Sequence, residues 1–113
     1  MAYLATEIVV DAFETEVPAG HWSDAVAQAV SRLRSKHPGA NVVHSYYRDL
    51  GEGVFLVHLD FDVTISAVGE TSAEANQARD SEVRRHNFFM PTIILGQTEW
   101  IREDDLQDKR ERV

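Results

Sequence analysis

Val54 to Val68, reading VFLVHLDFDVTISAV, carries the longest regular pattern in this chain of 113 residues. Successive side chains of a β-strand point to opposite faces. Phe55, Val57, Leu59, Phe61, Val63, Ile65 and Ala67 therefore share one side, and His58, Asp60, Asp62, Thr64 and Ser66 share the other. The first side is predicted to be core, and the second is where polar chemistry would sit. About fourteen residues at ~3.3 Å each span roughly 45 Å, longer than the usual strand.

Just upstream, Asn41 to Leu50 (NVVHSYYRDL) reads as another strand, and Gly51-Glu52-Gly53 as the turn that makes a hairpin of the two. Two registers fit. A two-residue loop puts His44 and Tyr46 on the apolar face, whereas a three-residue loop with Gly53 in the left-handed region puts Val43, Ser45 and Tyr47 there. The second is preferred, because it sets Tyr46 opposite His58 and His44 opposite Asp60, polar against polar. The hairpin partner is too short to cover the whole long strand, and unpaired backbone of that kind invites a bend, a bulge or a second subunit.

Before the hairpin, Leu4 to Phe13 (LATEIVVDAF) is β-branched and free of Gly and Pro, which predicts a first strand with Leu4, Thr6, Ile8, Val10 and Ala12 as its core side. Glu14 to Gly20 reads as a loop on account of Pro18 and Gly20. Over Trp22 to His37, apolar residues at Trp22, Val26, Ala29, Val30 and Leu33 form one stripe of a helix. Ser23 is its predicted N-cap. Arg32, Arg34, Lys36 and His37 suit the exposed carbonyls at its far end, where Pro38-Gly39 stops it.

After the long strand, Gly69 breaks the pattern and Thr71-Ser72-Ala73-Glu74 matches a capping box for a helix reaching about His86. Its apolar stripe is thin, mainly Ala75, Ala78 and Val83, and Arg84, Arg85 and His86 read as cations complementing the helix dipole. Phe88-Phe89-Met90 reads as an apolar plug, and Thr92 to Ile101 as a fourth strand weakened by Gly96. Trp22 and Trp100 are read as core or interface anchors. Residues 1–101 are thus one α+β domain, and 102–113 a charged C-terminal tail or short helix.

The order strand, helix, strand, strand, helix, strand is that of a ferredoxin-like two-layer sandwich, a βαββαβ chain with a four-stranded antiparallel sheet and two helices on one face. In that topology the first and third strands are central and the second and fourth are edges. His58, Asp60 and Asp62 then lie on the face the helices leave open, together with Glu7 and Asp11 of the first strand. Asp60, Asp62, Glu7 and Asp11 are the candidate ligands for a hard cation such as Mg²⁺, Mn²⁺ or Ca²⁺, beside the simpler reading of a solvated acidic face. No other cofactor is predicted. His58 next to Asp60, with Tyr46 on the neighbouring strand, is the candidate acid–base group.

Composition narrows the function. The 43% hydrophobic and 27% charged residues are those of an ordinary globular domain, and no apolar run approaches the roughly 20 residues a membrane span needs. The net charge of -8, from 19 acids against 11 bases, opposes binding to nucleic acid and to acidic membranes. With no cysteine, thiolate catalysis and thiolate metal sites are excluded. MAYLATEIVV lacks the basic and apolar regions of a secretion signal, so a cytoplasmic setting is expected. Phosphate-loop, dinucleotide, zincin and nucleophile-elbow motifs are absent. The expectation is a non-catalytic assembly or interaction module that self-associates as a dimer or higher oligomer. The alternative is a small enzyme or divalent-metal domain on the His58, Asp60 and Asp62 face. No feature identifies a small-molecule ligand.

Overall fold

A computed structural model describes residues 2–101. Its elements are β1 (Ala2–Pro18), α1 (Trp22–Lys36), β2 (Asn41–Gly51), β3 (Val54–Gly69), α2 (Ser72–His86) and β4 (Thr92–Ile101), in the expected βαββαβ order. The chain is α+β, with one four-stranded antiparallel sheet ordered β2-β3-β1-β4. The long stretch is an inner strand, and β2 and β4 are the edges. The charged segment 102–113 lies outside the described residues. No helix among them is long and apolar enough to cross a membrane.

The described chain groups into two compact units, one of residues 2–9, 64–88 and 92–101, the other of Val10–Val63 with Phe89–Pro91. In the second unit Val57, Leu59 and Phe61 are fully buried, as their alternation predicts, each worth roughly 1.5–3 kcal/mol over leaving it in water. Helix α1 buries Ala25, Ala29 and Leu33, a four-residue spacing, and its C-cap His37 stacks on Phe61 at 5.3 Å. The cap at the other end differs from expectation. His21 precedes the helix and its Nδ1 accepts the Ser23 N–H at 3.2 Å, so the imidazole does the work assigned to the Ser23 hydroxyl. Gln28 and Arg32 of α1 reach back to β1, donating to the carbonyls of Pro18 and Glu16 at 2.9 Å each.

The hairpin has the preferred register, Tyr46 across from His58 and His44 across from Asp60. It arrives there by a different device. Glu52 and Gly53 form a two-residue turn with φ of 58° and 75°, and a shift between Asp49 and Gly51 supplies the extra residue. Pairing with β2 ends at Asp62 while β3 continues to Gly69, the overhang expected from the lengths.

In the first unit Thr71 caps α2, its hydroxyl accepting the Glu74 N–H at 3.1 Å. The Glu74 carboxylate accepts from the Glu70 N–H, one residue before the partner a capping box would give it. Gly69 is required where it stands. A Cβ there would lie 2.4 Å from the Ala75 nitrogen and 2.8 Å from Glu74. Ala2, Leu4 and Ile101 form a small buried cluster with Val68 beside them.

Three expectations are corrected. The buried side of β1 holds Ala5, Glu7, Val9, Asp11 and Val17 rather than Thr6, Ile8, Val10 and Ala12, because the two carboxylates find partners inside and so tolerate burial. The Phe88-Phe89-Met90 plug is not one, since Phe89 and Met90 are 77% and 72% exposed. Trp22 and Trp100 are half-exposed, which removes the core reading, and the Trp22 ring stacks on Tyr47 at 5.3 Å.

Candidate functional site

The polar side of β3 in the second unit is organised by His58. Asp60, two residues on along the same face, leans toward it and places Oδ1 2.9 Å from Nε2. From β1, Glu14 brings Oε2 to 3.2 Å from Nδ1. Ionised carboxylates only accept hydrogen bonds, so this geometry favours the ring with a proton on each nitrogen, the imidazolium. Burial alone would lower its pKa. Hydrogen bonds to Asp60 and Glu14, and the charges of both, outweigh that and hold the pKa above its ordinary 6.5.

Each ring nitrogen serves a carboxylate, Nε2 that of Asp60 and Nδ1 that of Glu14, so the ring is held in one orientation between them. Through these contacts His58 clasps β1 to β3. Tyr46 is beside it as the register requires, with ring centroids 6.0 Å apart and tilted by 53°, and His44 packs against the Tyr46 ring. A cleft of about 370 Å³ opens next to the clasp, lined by Ala12, Phe13, Glu14, Lys36, His58 and Phe89.

The four candidate metal ligands do not gather. Asp60 serves His58, and Asp62 is half-buried in the β3 position paired with Asn41. Glu7 and Asp11, placed by the sequence on the open face, are on the buried side of β1 at 7% and 4% exposure. In the first unit Glu7 lies 3.9 Å from Arg79 Nε of α2, a nitrogen that is buried without a hydrogen-bond partner. In the second, Asp11 accepts the backbone N–H groups of Phe89 at 2.7 Å and Met90 at 3.0 Å. Among the described residues no group of three or more His, Asp or Glu side chains is placed to hold a metal ion.

Glu14 is the site residue that the sequence did not single out. Its signal was parity, because the alternation Val10, Ala12 continues to Glu14 once β1 is carried on to Pro18. Comparison with protein-family models, with curated proteins and with solved structures finds no match to this chain.

Proposed function

We propose that this chain is a non-catalytic assembly module of ferredoxin-like topology that works by associating with further copies of itself through a sheet edge. The observation that carries the reading is where its exposed large apolar side chains fall. Of eleven among the described residues, four (Val43, Tyr46, Tyr47, Leu50) are on β2 and four (Ile93, Ile94, Leu95, Trp100) on β4, the two edges of the sheet. Single exposed apolar residues are ordinary on a protein surface. Their concentration on edge strands, next to unpaired backbone donors and acceptors, is what a pairing surface requires. The hydrogen bonds at both His58 nitrogens support the same reading, since they tie up the ring that the acid–base alternative would use. Sedimentation equilibrium from micromolar to millimolar protein tests the reading. A mass above the 12.8 kDa of one chain is expected, and a strict monomer at every concentration sinks it.

A further inference from the structure

Building on that reading, we propose that the strand docking on β4 is β4 of a second copy, paired antiparallel across a two-fold axis at Leu95. As the last strand in the sheet order, β4 has one row of N–H and C=O groups that no strand of the sheet takes up. Residues 91–97 are all exposed, Ile93 and Ile94 at 58% and 61%. Ile94 points to the opposite face from Ile93 and Leu95, so a body resting on one face cannot cover all three, whereas a strand alongside flanks both faces. Ile93, Ile94, Leu95 and Trp100 together expose roughly 400 Å² of side chain, about half of the ~800 Å² each partner contributes to a stable dimer, before the backbone ladder and polar neighbours are counted.

Charge disfavours a parallel pair, and space favours Leu95 as the axis of an antiparallel one. Glu99 is the one charged residue of β4, and a parallel in-register pair would stack it on its own copy, which is unfavourable. With Leu95 on the axis of an antiparallel pair, Glu99 falls opposite Pro91, outside the strand, and Ile94 falls opposite Gly96, which leaves room for it. The other edge is built differently. Strand β2 has register shifts between Val42 and His44 and between Asp49 and Gly51, and it carries His44, Arg48 and Asp49. Bulges and charges are how edges are kept from pairing, and two of its aromatics are already stacked or packed, Tyr47 on Trp22 and Tyr46 on His58. Self-complementary pairing through β4 therefore closes at two copies instead of running from β2 to β4 into a filament.

The chain has no cysteine, so Leu95→Cys introduces a lone thiol. Residues facing themselves across an antiparallel two-fold have Cα atoms about 4.5–5.5 Å apart, within disulfide reach. The expected result is a parent chain at twice 12.8 kDa and a Leu95→Cys variant that oxidises to a covalent dimer at least tenfold more than Val43→Cys on β2. The double variant Ile93→Lys, Ile94→Lys should sediment as a monomer with the parent's far-UV spectrum. If it does not fold, the cross-link decides. A monomeric parent overturns the assembly reading and this one together. A dimeric parent in which Val43→Cys cross-links as well as or better than Leu95→Cys, in which neither cross-links, or whose folded double-lysine variant stays dimeric, overturns the β4 pairing alone.

Discussion

Glu14 of β1 and His58 of β3 meet at 3.2 Å across 44 positions of chain, and Asp60 takes the ring's other nitrogen at 2.9 Å. A cation between two acids stabilises the fold only while it keeps its proton, which makes this contact measurable by titration.

The pKa of His58 is raised in the folded chain, so its contribution is fully present below the unfolded value of about 6.5 and is lost as pH rises through the higher folded value. Replacing His58 by Leu should flatten that part of the pH dependence of urea unfolding. The ring is about a third exposed, and solvent screening keeps the difference below about 1 kcal/mol. Parallel pH profiles for the parent and His58→Leu would contradict the clasp.

Asp11 holds the Phe89 and Met90 amides with its two oxygens. Asp11→Ala should cost about 2 kcal/mol in urea unfolding, and Asp11→Asn, which keeps one acceptor oxygen, roughly half of that. Amide exchange at 89 and 90 should quicken in both. Unchanged protection there would mean that the carboxylate does not hold the loop.

Gly69→Ala forces a methyl against backbone of α2, and a loss of about 1–3 kcal/mol is expected in thermal or urea unfolding. Gly20→Ala is the control. Nothing lies within 4 Å of a Cβ at that position, so its stability should change by less than about 0.5 kcal/mol.

Millimolar Mg²⁺, Mn²⁺ or Ca²⁺ should move Tm by less than about 1 °C, whereas a site at 100 times its Kd would add ~2.7 kcal/mol and several degrees. The physical reason is that Asp60, Glu7 and Asp11 face His58, Arg79 and loop amides respectively. A shift of several degrees, lost in Asp60→Asn, would support the metal reading.

The element order and the core side of β3 were legible because each rests on neighbours in sequence, above all the strict alternation at Phe55 to Ile65, and the hairpin register followed from setting polar residues opposite polar ones although a different turn delivers it. The side of β1 that faces inward was not. Its two sides are nearly equal in apolar character, and the choice turns on partners for Glu7 and Asp11 that stand more than seventy residues away, at Arg79 and at Phe89 and Met90. Local pattern cannot price a buried carboxylate whose compensation is that distant. The same blindness put Asp11 into an open acidic cluster and turned an exposed Phe89 into a plug. It also left Glu14 in a loop, because Pro18 and Gly20 suggested a break before the strand ended.

The Asp11 contact also has a place in time. Gln28 reaches Pro18 over 10 residues of chain and Arg32 reaches Glu16 over 16, while Asp11 waits for an amide 78 residues on. Closing the longer loop costs more entropy before any bond rewards it, so this contact belongs to the late side of the folding barrier. Asp11→Ala should then refold at close to the parental rate and unfold faster. A slowed refolding limb would place the loop in the nucleus instead.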